Sequence, residues 1–468
     1  MDFKVGELRS YWLREILERD PGQPCPPLDH DIQADVVILG GGYTGLWTAY
    51  FLTEYAADRS VVVLEADICG GGASGRNGGF CTGWWDELDG LIELHGKAAA
   101  VEACRASGEA ITAIGEWCAD HGVDAWYRKS GFLEVATSET HERVLQRGAA
   151  LAAEAGVGEE YTWLSAEQVR GRCNSPRFRA GVLMRDGATV QPARLARGLR
   201  RVLLERGVQI FEQTPVLSLD ERPVAARTPG GTVRAGRAVV ALNAWAGAFR
   251  PFRRRIAAWS SYIALTAPAP ERLAQTGWIN GECITDVRAS VHYFRTTPDG
   301  RIAMGGGGGQ AASANRIGKV FTHDTTAVER AVATLREMFP AFSDVPIEAG
   351  WGGPIDVSPT HRAFFGTLAS GAVHYGLGYT GNGVGPSYLG GRILAALALD
   401  RDDRYVRLPL VGPGPKLFPP EPFRSIGARM IRMAMLRQDD ADERDRTADP
   451  LSRLIAHLPR RMGYQLGP

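Results

Sequence analysis

A buried-strand run, a glycine turn and a distal acid predict an α/β (α+β) chain: a Rossmann-like dinucleotide-binding domain with an inserted antiparallel-sheet second domain. Val36, Val37, Ile38 and Leu39 show no polar alternation, as a parallel strand covered on both faces requires. Gly40, Gly42 and Gly45 follow at once in Gly-x-Gly-x-x-Gly spacing. A second apolar run, Val61 to Leu64, closes on Glu65, twenty residues past Gly45. Gly40 permits the tight turn, Gly42 lets backbone approach a pyrophosphate, and Gly45 lets helix and strand pack closely. A helix expected from Tyr43 and Thr44 onward offers its N–H groups and positive dipole end to phosphates. Glu65 is suited to accept hydrogen bonds from a ribose.

With 468 residues the chain exceeds the usual span of a single core, so two domains are expected. Lys plus Arg equals Asp plus Glu, 53 each, which gives no reason to expect nucleic acid as a partner. Seven scattered cysteines without a CxxC pair suit a reducing compartment and no structural metal. Residues 1–19 are too charged to hold an apolar leader core, and the glycine-broken run 36–52 reads as interior, not transmembrane. A soluble, cytoplasmic protein is the expectation, with its oligomeric state open.

Residues 1–30 form an amphipathic lead (Leu8, Tyr11, Trp12, Leu13, Ile16, Leu17) and a Pro-rich link, expected as a surface helix without chemistry. Directly after Glu65 the run 70–80 forms a second Gly-rich loop at the same sheet edge. A nicotinamide enzyme does not need such a loop. A flavin does, because its rigid ring lies against backbone that only small residues leave open. Ser74 and Arg76 suit phosphate and Asn77 a ring carbonyl or imide, with Ala73, Gly78, Gly79 and Phe80 completing the contact.

Residues 91–120 are expected to be helical, 126–137 to be strands turning at Gly131, and 138–156 helical again. Strand 180–184, helix 191–206 and strand 208–211 follow. A small antiparallel element begins at Val216, and a buried parallel strand at 238–242 ends in Asn243 and Ala244. Ligands of open sheets bind beyond carboxyl strand ends, so Val216, Asn243 and Ala244 belong beside the cofactor. Short strands near 262–265, 292–295 and 302–304 supply the second domain's sheet, and the glycine run 305–309 reads as a close backbone approach. Gly378, Tyr379, Gly381, Asn382, Gly383 and Val384 form a third glycine turn before a helix at 386–399. That N-terminus suits the pyrimidine end of a flavin, where negative charge develops on reduction. The resulting division is 1–30 lead; 31–90, 165–250 and 346–400 FAD-binding; 91–164 and 251–345 substrate domain; and 401–468 tail. Within the tail, 425–437 is expected to be an amphipathic helix, packed or frayed, with a membrane-surface or partner role as the alternative.

The opening fingerprint, the loop Gly72-Ala73-Ser74-Gly75-Arg76-Asn77-Gly78-Gly79 and the closing Gly378-Tyr379-Thr380-Gly381-Asn382-Gly383-Val384-Gly385 resemble the FAD-dependent D-amino acid oxidase superfamily. Tyr127-Arg128-Lys129-Ser130-Gly131, His292-Tyr293-Phe294-Arg295 and 301–306 look like its gamma-glutamylputrescine oxidase-like amine oxidases. The resemblance, over residues 33–400, implies FAD, a sheet roofing the flavin, and oxidation of a carbon–nitrogen single bond to an imine. Covalent-flavin relatives use a late Cys or an early His; none follows Cys283 or falls between His30 and His95, so FAD is expected to be non-covalent. Glycine oxidase-like enzymes hold the substrate carboxylate with Arg in Gly-Leu-Arg-Pro. Gly350-Trp351-Gly352-Gly353 stands there instead, which favours an amine over a free amino acid. Ala303 replaces the oxygen-activating Lys of sarcosine oxidase-like enzymes, leaving O2 or an unidentified carrier as electron acceptor.

Hydride transfer to flavin N5 asks for position and a neutral amine more than for a strong base. The candidate pocket walls are Trp84, Tyr262, His292, Tyr293, Trp351 and Tyr379, with His361, His292 and Tyr262 as candidate catalytic residues. Three alternatives stand beside the amine oxidase. An amino acid or N-methyl amino acid oxidase would clamp carboxylate with Arg295 or Arg128; the others are a flavin dehydrogenase and a non-catalytic flavin-binding protein.

Overall fold

The computed structural model describes residues 9–306 and 309–465. Leu8 of the lead and the centre of the glycine run 305–309 lie outside the described residues.

Five parallel strands form the heart of the first sheet, in the spatial order Gln209–Phe211, Val61–Leu64, Ile32–Leu39, Thr232–Val240, Val373–Leu377. Ile38 sits in register with Val63 on one side and Val239 on the other, so the apolar run is sandwiched as its composition requires. Thr232–Val240 is one long strand: its first half pairs antiparallel with Val224–Arg227, and its second half, 238–240, runs parallel to 373–375. Helices Tyr43–Tyr55 and Val384–Ala398 cross face to face, and a Cβ on Gly391 would stand 2.4 Å from Trp47 Cβ. Small residues are what let these two helices approach.

The second sheet runs in the order Ile347–Val357, Ala257–Thr266, Ile302–Gly306, His292–Thr296, Cys283–Asp286, Phe132–Ala136, Ala180–Met184, Tyr161–Ser165. All its pairings are antiparallel except Cys283–Asp286 with Phe132–Ala136. Helix Thr325–Met338 backs it, burying Val328 and Leu335 in a core with Tyr262, Phe294 and Met304.

Three placements differ from the sequence-based division. Ala180–Met184 and Ile347–Val357 pair into the second sheet, although 165–250 and 346–400 were expected to stand with the first. Apolar runs declare burial but not the partner strand. Helix Lys97–Asp120 packs on the first domain's core, with Trp117 and Trp47 ring centroids 4.9 Å apart, so 91–164 divides between the two cores. Helix Tyr11–Arg19 is no surface element either: Trp12 is fully buried, edge-on to Trp126 and Trp351.

Local signals set helix ends well. Ser138 caps Glu139–Ala155 and Gly156 closes it in left-handed geometry, while Gly96, at φ +78°, breaks 88–120 into two helices. The tail is folded: Phe423–Asp442 and Pro450–Arg461 form a helical hairpin held to the body. Among the described residues no helix is long and apolar enough to cross a membrane.

Candidate active site

A single cavity of about 1830 Å³ runs between the carboxyl edge of the parallel strands and the second sheet. The first glycine turn contributes Gly40, Gly42, Tyr43 and Thr44, and the following strand Glu65. The second loop adds Ala73, Ser74, Arg76, Asn77, Gly78 and Phe80. Val216 and Asn243 line it from strand ends, and Tyr379, Gly381, Asn382, Gly383 and Val384 from the third turn. Gly45, Gly79, Ala244 and Gly378 do not face the cavity. Each serves packing: Gly45 beneath Gly40, Gly79 against Val190, Ala244 in a small core with Ala258, and Gly378 at φ +79° beside Phe364.

Side chains knit the three turns together. Ser74 Oγ accepts from Tyr43 N (2.8 Å), and the Thr44 hydroxyl donates to the Tyr379 hydroxyl (2.9 Å). Asn382 Nδ2 donates to Gly83 O (2.8 Å), fixing the third turn to the strand that follows the second loop. Glu65 accepts from Gly41 N (2.8 Å) and Asp67 N (2.9 Å), and burial pushes its carboxyl up to about 7.

Three groups missed by sequence reasoning complete the frame. The carbonyls of Gly75, Arg76, Asn77 and Gly78 are taken in turn by Ser10 Oγ, Trp351 Nε1 (2.8 Å), Trp12 Nε1 (3.1 Å) and Arg295 Nε (2.5 Å). None of these four donors lines the cavity, so all four carbonyls are drawn to the loop's far side. The lead helix, expected to carry no chemistry, is therefore half of the loop's support. Asp356, fully buried, accepts from Asn243 Nδ2 (2.7 Å) and Gly378 N (2.5 Å), joining two of the turns. The tail hairpin roofs the cavity with Ile431, Met435 and His457. No local pattern in the sequence pointed to any of these three groups. Trp12→Phe keeps the packing and removes one donor; a loss of about 1 kcal/mol should weaken flavin binding about fivefold, measurable by titrating apoprotein with FAD.

The candidate pocket residues separate. Tyr293, with its hydroxyl 2.8 Å from Ser261 Oγ, Tyr379 and His361 face the cavity. Tyr262 does not; its hydroxyl donates to Val320 O (2.6 Å) in the second core. His292 turns to Asp286 (2.6 Å), Trp351 to Arg76 O, and Trp84 into the core, while its neighbour Trp85 lines the cavity. Alternation along a strand cannot tell a cavity wall from a core. Arg295 is committed to the glycine loop and Arg128 to Ile279 O (2.6 Å), so neither lines the cavity as a carboxylate clamp.

Residues 35–397 match the model of the DAO family, FAD dependent oxidoreductase. The chain belongs to that family. This FAD dependent oxidoreductase is 30% identical to the gamma-glutamylputrescine oxidoreductase of Escherichia coli, over 82% of this chain and 89% of the relative. It is 27% identical to a probable oxidoreductase OrdL of Haemophilus influenzae, over 85% and 89%. Its fold matches the crystal structure of glycine oxidase from Geobacillus kaustophilus with a TM-score of 0.65 at 20% identity, over 80% of this chain and 96% of that one.

The residues present fit FAD. Asn243 Oδ1 is buried without a partner in the cavity wall, an acceptor awaiting a donor. A Cβ at Gly42 would fall 3.0 Å from Ser74 Oγ, crowding the approach a phosphate would take to the helix N-terminus. The oxidoreductase's hairpin helices, at 423–461, lie beyond the residues matched to the family.

Proposed function

We propose that this FAD dependent oxidoreductase oxidises the CH–NH bond of a primary or secondary amine, or a polyamine derivative, to an imine. FAD supplies the hydride acceptor at N5. The observation that carries the choice of an amine is the charge of the cavity wall. Asp86 and Glu134 line the cavity and enter no ion pair among the described residues. The arginines buried in the same wall are taken: Arg362 by Glu87 (2.9 Å), Arg424 by Glu421 (2.7 Å), and Arg76 by the carbonyls of Gly71 and Gly352. With Glu134 ionised such a wall attracts a cation, and none of these arginines is free to clamp an amino acid's carboxylate; Arg147, which also lines the cavity, is exposed at its surface.

Burial, with Glu87 and Glu134 nearby, holds Asp86 well above the usual carboxylate range, so the attraction rests mainly on Glu134, which burial pushes up to about 7. Burial, with Arg362 adjoining, holds His361 down at about 4, so its imidazole is neutral at pH 7. So weak a base does not take an ammonium proton; in that state His361 offers the cavity a neutral hydrogen-bonding group. Non-covalent binding of FAD is supported by the absence of any cysteine from the cavity wall. Ala303 is buried in the second sheet away from the cavity, which leaves O2 or an unidentified carrier as the acceptor.

A panel of amines and amino acids, watched for flavin bleaching under nitrogen and then for peroxide in air, tests the reading. Amines should bleach the flavin; bleaching by amino acids alone, or by nothing, overturns it. Because Glu134 loses its proton through about pH 7, KM for a cationic amine should fall as pH rises across that point. Glu134→Gln should raise KM about tenfold above pH 7 and flatten that profile, as steady-state kinetics would show.

A further inference from the structure

Beyond the residues that line the cavity, the hairpin of Phe423–Asp442 and Pro450–Arg461 carries exposed apolar side chains that do not line it. Its inner side is fixed: Asp439 accepts from Ala289 N and Ser290 N (2.9 Å each), Arg424 donates to Arg253 O (2.7 Å), and Arg362 donates to Gln465 (2.7 Å). The first helix exposes Ile426, Met430 and Met433 by 53, 46 and 53%, in line with Phe423 (70%) at the cavity's edge. Spacings of three, four and three residues put them on one stripe. The second helix repeats the device with Leu451 and Leu454, exposed by 61 and 50%, and Leu458 (43%) at the cavity's edge. Apolar stripes on two packed, clamped helices are a built surface, not frayed chain.

Charge selects what covers it. Pro450–Arg461 contains Arg453, Arg460 and Arg461 and no Asp or Glu. The first helix adds exposed Arg429 and Arg437, while its Asp440 is paired with Arg288 (3.4 Å), Asp439 is buried and Asp442 is half-buried at its last turn. Arg429, Arg453 and Arg461 enter no ion pair among the described residues. An apolar stripe flanked by arginines, on helices too short and polar to span, is the pattern of an interfacial helix lying in a lipid headgroup region. A second copy of the chain would bring arginine against arginine.

We propose that this hairpin docks the enzyme peripherally on an anionic lipid surface, its apolar stripes entering the acyl boundary and its arginines meeting lipid phosphates. The inference is independent of the reaction assigned to the cavity.

The test is sedimentation of the FAD-loaded enzyme with vesicles of phosphatidylcholine alone or mixed with phosphatidylglycerol. The enzyme should pellet with the anionic vesicles, should stay in solution with the neutral ones, and should be released by raising salt. Met430→Glu with Met433→Glu, and separately Arg453→Gln with Arg461→Gln, should each lower the partition coefficient about tenfold or more. Flavin content and amine turnover should be unchanged, since none of the four side chains lines the cavity. If the glutamate pair compromises folding, the exposed arginine pair carries the test. Failure to pellet with anionic vesicles at low salt, equal pelleting with neutral vesicles, or a dimer dissociated by these same substitutions would overturn the proposal.

Discussion

Gly45→Ala is expected to yield a protein that does not retain FAD. A Cβ at this position would stand 2.0 Å from Gly40 O, closer than any tolerated contact, and its target is backbone. Gly40 has nowhere to retreat. Its N–H is bonded to Leu64 O at 2.8 Å, its φ is +109°, and a Cβ of its own would meet Ala241 O at 2.5 Å. The helix Tyr43–Tyr55 must therefore shift away from the strand, carrying its N-terminus off the phosphate position. A misfit of about 3 kcal/mol corresponds to about a hundredfold loss of affinity. The flavin-to-protein ratio after purification measures it. Gly171→Ala, with nothing within 4 Å of the new Cβ, should stay yellow and serves as the control. A fully flavinated Gly45→Ala protein would remove the basis for reading this turn as the pyrophosphate site.

Asp356→Ala should have the second-largest effect, although this residue does not line the cavity. Its two oxygens hold Asn243, at φ +48°, and Gly378, at φ +79°, so one side chain fixes two left-handed turns. Its loss leaves two donors short of an acceptor, about 1 to 3 kcal/mol each where water cannot reach. Lower thermal stability and weaker FAD binding should appear together. The pH dependence has a definite sign. Burial pushes the Asp356 carboxyl up to about 7, above its unfolded value near 4, so the folded state holds the proton more tightly. This group's contribution to stability is fully present below about pH 4 and is lost as pH rises through about 7. The stability gap between wild type and Asp356→Ala, measured by denaturant unfolding, should accordingly narrow from pH 5 to pH 8.

The contrast between these two residues shows how far the sequence was legible. Gly45 could be read because its partners, Gly40 and the strand before it, lie within a few residues, and close packing there demands glycine in any protein with this turn. Helix ends at Ser138 and Gly156 were legible for the same reason, whereas the break at Gly96 inside the expected helix 91–120 was not read. Asp356 offered no such signal, since its partners lie 113 and 22 residues away. Nor did Ser10, Trp12, Trp351 and Arg295, whose hydrogen bonds to residues 75–78 span 65, 275 and 217 positions. Tyr262 and His292 looked like pocket walls by composition and turned to other partners, because period-two alternation defines two faces without saying which one meets a void.

What the sequence alone determined is the set of local geometries: the parallel strands, the three glycine turns, the acid after the second strand and most helix termini. These follow from backbone sterics and hydrogen bonding within a few residues. Only the tertiary structure decided which sheet claimed Ala180–Met184, which side chains pull the second loop's carbonyls aside, which carboxylates face the cavity and what the tail covers. Those choices turn on pairwise contacts between distant segments, whose closure one-dimensional patterning leaves open.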